Sequence, residues 1–434
     1  MQHVYAQSSV ERFIPVTTLT TNNGLVSNQV NKITQDNRGF IWLGSNQGLS
    51  RYDADGLVNY FRDKSNKHSL PDTQIEAIIP MPDNELWLSV LDLGLVVYDQ
   101  SKEEFTSIKN NSSAKFNIHN NFFSLIKDYK DHVWLAVMGE GLYEWDSHNK
   151  QYILHLAADA KSWFNSSKPF DLFIDTRNRL WISTLDSKVF LYDLHNKTHK
   201  VFNFSVGTEN ESPNPIYDFT ESSDGNIYAG GYSGVYMFDE STQKFNIFIE
   251  QSTIAEQYGN RASVYKLLWD KMDNLWVATT VSVLLFAENK LSRAVFYENG
   301  KRVDSEWMAR DIYEDTNGGI WFATMAHGVY KLSTDWDMFN IHMSNSREAL
   351  DIIDVNQFQN HLLISYRPPK IDVLEYKEHK FSLITSYNID FNNKADQIIS
   401  IYQDDPNFIW IISITGVSLY DINKNTVVDI KTIE

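Results

Sequence analysis

The chain has 434 residues, of which 42% are hydrophobic and 22% charged, and carries a formal net charge of -18. So few charges exclude a disordered chain, and the negative total argues against a nucleic-acid partner, which needs a basic stripe. Cysteine is absent, which removes disulfides, thiolate metal sites and cysteine nucleophiles, and no apolar run of about 18 residues is available to cross a bilayer.

At the N-terminus, Val4-Tyr5-Ala6 before Gln7 has the small-residue spacing of a signal-peptidase site, without the apolar segment that precedes one. Residues 1–12 read either as a leader remnant or as an ordinary flexible terminus. From there a phrase recurs every 43 to 48 residues: Asp, a turn, an apolar residue, Trp, a small residue, Gly, then Tyr-Asp. Its landmark positions are Trp42, Trp87, Trp134, Trp181, Tyr228, Trp276, Trp321, Ile364 and Trp410. A period in the forties with strand-like segments marks propeller blades.

The first copy divides into four apolar segments separated by turn residues. Val30-Asn31-Lys32-Ile33 predicts strand a, Phe40-Ile41-Trp42-Leu43 strand b, Leu49-Ser50-Arg51-Tyr52 strand c and Leu57-Val58-Asn59-Tyr60-Phe61 strand d. Later copies keep this order, and no long helical period interrupts them. Seven copies, Trp42 through Trp321, predict a closed seven-bladed ring over residues 13–335. The segment Phe13-Ile14-Pro15-Val16-Thr17-Thr18-Leu19 resembles a strand d moved to the front, so residues 13–19 are expected to complete the seventh blade. Phe339-Asn340-Ile341-His342-Met343 stands similarly before the eighth copy, so residues 336–434 are expected to open a second ring, cut short after two blades. The eighth copy is degenerate, with Ile364 for Trp and Arg367-Pro368-Pro369 in its b–c turn.

The repeated residues read as structural. Trp supplies a large face for packing one blade on the next, with an indole N–H expected to meet a backbone carbonyl. The Gly before strand c suits a turn with positive φ, and the Asp of the a–b turn suits a bond to the backbone two residues on.

The stretch Gly24-Leu25-Val26-Ser27-Asn28-Gln29-Val30, continuing through Asp36-Asn37-Arg38-Gly39-Phe40-Ile41-Trp42-Leu43-Gly44 to Gly48-Leu49-Ser50-Arg51-Tyr52-Asp53, closely resembles the two-component regulator propeller repeat. The resemblance extends over residues 13–432. It implies the periplasmic sensor region of an inner-membrane receptor whose output domain is a histidine kinase or a diguanylate cyclase. It also implies two seven-bladed rings, a β-sandwich and a membrane helix. It further implies no catalysis by this region, no cofactor, no membrane insertion of its own, and a homodimer formed through the full receptor. Neither a Gly-Gly-Asp-Glu-Phe run nor a kinase nucleotide-binding segment occurs in the sequence.

No residue pattern demands chemistry. Asp53-Ala54-Asp55-Gly56 lacks a calcium loop's downstream Glu in register. His195 and His199 flank a turn with no third ligand. Glu103-Glu104 and Asp404-Asp405 are neighbours that point apart. No catalytic or metal-binding residue is therefore assigned. Binding is the natural alternative, because the b–c turns and the entrances to strand a share one face and vary between blades. The candidates for a small polar ligand, such as an oligosaccharide, are Asn46, Asp92, Glu140, Tyr232, Trp307, Arg310 and His327. A glycan lyase or hydrolase would have to draw on His327, Glu140 and Asp92, and a protein-interaction scaffold would need none of them.

Overall fold

The computed structural model describes residues 11–53, 55–108, 122–137, 140–157, 169–204, 214–258, 262–298, 301–303, 309–332, 351–377, 380–391 and 396–429. The chain divides into two compact units, Met1–Thr334 and Asp335–Glu434.

The first unit is a seven-bladed β-propeller. Each blade is a four-stranded antiparallel meander at its heart. In the first blade the strands are Val30–Gln35, Ile41–Ser45, Leu49–Asp53 and Gly56–Tyr60. The inner strands of the others are Ile75–Pro80, Phe122–Lys127, Pro169–Ile174, Ile216–Glu221, Val264–Trp269 and Ala309–Glu314. Each inner strand touches the next around a closed cycle, and Ala309–Glu314 touches Val30–Gln35. A short helix, Gln251–Tyr258, lies between the fifth and sixth blades.

Closure uses the N-terminal segment in two parts. Thr17–Leu19 pairs antiparallel with Val329–Lys331 as the outer strand of the seventh blade. Glu11–Pro15 instead runs parallel to Arg293–Tyr297, as a further strand on the sixth blade. This corrects two expectations: residues 13–15 serve the sixth blade rather than the seventh, and residues 11 and 12 are already in a strand. The crossing is fixed by Val16 N–H donating to Tyr297 O at 2.9 Å and by Thr18, whose N–H and hydroxyl donate to the Glu298 carboxylate at 2.8 and 2.7 Å. Pro15 is tolerated because it ends an edge strand, where a missing N–H costs no ladder bond.

The core is a set of layers between blades rather than one central mass. Trp42 and Leu49 pack on Leu86, Leu88, Tyr98 and Phe105 of the second blade. Trp321 and Val329 pack on Ile33, Ile41 and Leu43 across the closure. Both faces of each sheet are therefore covered, which explains second strands buried at every position, as in Ile41–Ser45 and Leu275–Thr279. The Gly before the third strand is sterically required: at Gly141, φ is 139° and a Cβ would meet Leu156 O at 1.9 Å.

The second unit contains two further four-stranded sheets, Asp351–Phe358 through Lys380–Asn388 and Ile398–Asp405 through Thr426–Asp429. Their shared layer includes Leu363, Ile371, Ile401, Ile409 and Tyr420. The expected leading strand at 338–343 lies outside the described residues.

Candidate ligand-binding site

All seven inner strands carry a register shift near their start: Val30/Lys32, Ile75/Ala77, Phe122/Ser124, Pro169/Leu172, Ile216/Asp218, Val264/Lys266 and Ala309/Asp311. A bulge re-aims a side chain that strict alternation would send to a sheet face. Here residues at the second and third positions of most of these strands line a cavity of about 310 Å³ at one mouth of the channel. The b–c turns lie at the same mouth, because Asn46 N–H donates to Gln29 O, Leu91 N–H to Gln74 O and Tyr232 N–H to Pro215 O, each acceptor just ahead of an inner strand.

The third position also clasps blades together. Asp218 Oδ2 accepts from Leu267 N–H of the next blade at 2.7 Å, and Asp311 Oδ2 accepts from Ile33 N–H at 2.9 Å. Ser124 Oγ accepts from Leu172 N–H at 3.0 Å. Two lysines serve these clasps: Lys266 Nζ lies 2.5 Å from Asp218, and Lys32 Nζ lies 3.2 Å from Asp311. Burial raises the Asp218 carboxyl above its usual range, Lys266 opposing this and Asp171 reinforcing it. Lys266 is held protonated against its own burial by Asp218, Asp171 and Asp311.

One wall of the cavity is aromatic. Phe170, Tyr217 and Tyr265, from the fourth, fifth and sixth blades, form a triangle: Tyr217 stacks on Tyr265 at 5.2 Å, and Phe170 meets them edge-on at 5.6 and 6.1 Å. Opposed chemistry comes from Asn31, Gln74, Glu76 and Arg310. Arg310 Nη2 reaches Asn31 Oδ1 at 3.5 Å, and its buried Nε has no hydrogen-bond partner among the described residues.

Of the residues singled out from the sequence, Arg310 lines the cavity. Tyr232 is exposed at the rim, and burial raises the Tyr217 hydroxyl above its usual range, with the neighbouring Tyr265 and Tyr232 hydroxyls adding to this. Asn46 braces the first blade's entrance, accepting from Ser27 Oγ and donating to Gln29 Oε1, both at 2.8 Å. Asp92 is exposed in a left-handed turn at φ 61°, beside Leu91, which does line the cavity. Glu140 accepts from the Tyr143 hydroxyl at 3.4 Å. His327 is exposed, its N–H donating to Thr324 Oγ1 at 2.8 Å. Trp307 lies outside the described residues. Sequence reasoning missed Phe170, Asp171, Tyr217 and Tyr265. The available signal was variety: the second and third inner-strand positions read Asn31-Lys32, Glu76-Ala77, Phe170-Asp171, Tyr217-Asp218, Tyr265-Lys266 and Arg310-Asp311.

The comparisons with known proteins agree with this architecture. The family model of the two component regulator propeller matches residues 24–47, so the repeat recognised in the sequence is shown. No curated protein sequence matches the chain. Among solved structures, the chain is similar to the extracellular domain of BT3049 from B. thetaiotaomicron, a protein assigned as a hybrid two component system. The TM-score is 0.69 at 18% identity, covering 97% of this chain and 55% of that one. The extracellular domain of BT4673 from the same organism, assigned likewise, gives 0.59 at 14% identity over 96% of this chain and 53% of that one. At these identities the likeness is one of fold, and the chain spans about half the length of either neighbour. No helix among the described residues is long and apolar enough to cross a membrane.

Proposed function

We propose that this chain is the ligand-sensing propeller region of a bacterial transmembrane signalling receptor, working on the extracellular or periplasmic side and without catalysis of its own. The second unit, on this reading, begins a second ring. The observation that carries the proposal is the contrast within the channel. The Trp, Asp and Gly of the blades repeat, while the bulged positions around a cavity of about 310 Å³ change from blade to blade. Variable side chains on a constant frame provide specificity, and the volume suits a small polar solute. Likeness to extracellular domains of proteins assigned as hybrid two component systems supports the setting.

The test is a calorimetric and thermal-shift screen of sugars, amino acids, organic acids and amines against the purified chain. One-to-one binding that weakens at least about tenfold, or about 1.4 kcal/mol, in Tyr217→Ala supports the reading. Accumulation of cleaved or eliminated products during the titration would replace it with an enzymatic one.

A further inference from the structure

The cavity's charges do not all answer one another. Its lining holds Lys32, Lys266 and Arg310 against Glu76, Asp171, Asp218 and Asp311. The clasps absorb two lysines and two aspartates, since Lys266 and Leu267 N–H hold Asp218, and Lys32 and Ile33 N–H hold Asp311. Three charged groups are left. Arg310 has only the Asn31 amide, with its buried Nε unpartnered among the described residues. Asp171 accepts from Ser124 Oγ at 2.9 Å, and Glu76 from Gln74 Nε2 at 2.7 Å, both neutral donors. Asp171 is adjacent in the chain to Phe170, at the aromatic triangle.

Asp171 also acts on Lys266, but that one lysine answers Asp218 and Asp311 as well, so the corner keeps a surplus of negative charge. An aromatic corner beside such a surplus is the chemistry that holds an organic ammonium group, through the ring faces and the nearby negative charge. An unpaired guanidinium is the chemistry that takes a carboxylate in a planar fork. The net charge of -18 works against concentrating a simple anion at the channel mouth, and a ligand with no net charge escapes that repulsion. We infer that the channel mouth binds a small zwitterion of the amino-acid or betaine class, its ammonium end against Phe170, Tyr217 and Tyr265 near Asp171, its carboxylate on Arg310. The inference rests on the reading of the channel as the sensing site and specifies the ligand class for it.

The experiment is calorimetry with the twenty L-amino acids and glycine betaine as probes. Any amino-acid hit is followed by its methyl ester, which keeps the cation, and its desamino acid, which keeps the carboxylate; a betaine hit is followed by choline and acetate. Maltotriose serves as the neutral sugar. At least one zwitterion should bind, and its single-charge analogues should bind at least about tenfold more weakly, because each leaves one end of the site unpaired. Arg310→Met should erase the preference for the zwitterion over its cation-only analogue, a change in selectivity that a merely structural role would not produce. Tyr265→Phe should retain binding and Tyr265→Ala lose it, with each variant's circular dichroism matching the parent. Failure of every zwitterion to bind, or equal binding of the analogues, overturns the inference. Maltotriose binding that Tyr217→Ala abolishes overturns the ligand class but keeps the channel as the sensing site. A zwitterion whose affinity is untouched by both Arg310→Met and Tyr217→Ala overturns the site itself.

Discussion

Trp42 Nε1 donates to the Asp36 carboxylate at 2.9 Å, from the second strand of the first blade back to the turn that opens it. The other oxygen of Asp36 accepts from Arg38 N–H and Phe40 N–H, so one side chain both forms the turn and holds the indole. The same unit recurs as Trp134 with Asp128, Trp181 with Asp175, Trp276 with Asp270 and Trp321 with Asp315, always six residues apart. The indole partner is thus a carboxylate, where a backbone carbonyl was expected. The second blade keeps Trp87 but has Met81 at the Asp position, and its indole donates to Glu85 at 3.0 Å; two other copies change at both ends. In the fifth blade Tyr228 replaces Trp and Ser222 replaces Asp. In the eighth copy Ile364 and Phe358 replace both with apolar side chains.

Asp36→Ala should therefore cost about 1–3 kcal/mol, because it strands buried donors, and Trp42→Ala about 3–5 kcal/mol. Urea unfolding of the two single variants and the double variant should show a combined loss smaller than the sum, since both remove the same contact. Neither should alter ligand selectivity.

The ring's closure makes a second prediction. Removing residues 11–19 takes away the outer strand of the seventh blade and the buried side chains Ile14, Val16 and Leu19. Hydrogen exchange should then speed up in Val283–Ala287, Lys290–Glu298 and Val329–Lys331 while the third and fourth blades keep their protection. Uniform loss of protection, or none, would mean the closure is not local to these strands.

Acid should weaken the boundary between the third and fourth blades. Glu144 is held below its ordinary value of 4.5, chiefly by the His155 side chain, then with Lys197 and His132 helping against burial. His155 Nε2 lies 2.8 Å from Glu144 Oε2, and its Nδ1 lies 3.0 Å from the Tyr192 hydroxyl of the next blade. A carboxylate with a lowered folded pKa stabilises fully above the unfolded value, and the contribution is lost as pH falls through the folded one. The melting-temperature gap between the parent and Glu144→Gln should accordingly be widest above pH 4.5 and shrink below it. A gap independent of pH would contradict this.

The second unit leaves large apolar side chains exposed, among them Ile399, Tyr402, Ile412, Ile414 and Val417. Contiguous exposed apolar surface invites association. Replacing Ile399, Tyr402 and Ile414 together with Ser should reduce binding of a hydrophobic dye and raise solubility without shifting the melting of the first unit. Unchanged dye binding would place the accessible apolar surface elsewhere.

The propeller was legible because its blades repeat: Trp at a spacing in the forties, Gly before the third strand and Asp in the a–b turn are short-range requirements of one blade, and each recurs in most of the seven. The site was less legible for a physical reason. Phe170, Tyr217 and Tyr265 face the channel only because each inner strand bulges at its start, and simple alternation assigns such residues to a blade face. Arg310 was singled out as a strand entrance, and it does line the cavity. The turn residues Asn46, Asp92 and His327 vary between blades, but none of them lines the cavity, which the bulged inner strands form for the most part. The split role of the N-terminal segment was hidden too, since a parallel partner for Glu11–Pro15 leaves no local signal.

The measurement that tests the central claim most directly is hydrogen exchange on the chain saturated with a solute from the binding screen. The account predicts slowed exchange in the opening residues of the inner strands, at Glu76–Ala77, Asp171–Leu172, Tyr217–Asp218, Tyr265–Leu267 and Arg310–Asp311. Protection confined to the a–b turns at the opposite mouth, such as Asp36–Phe40 and Asp315–Gly319, would contradict it.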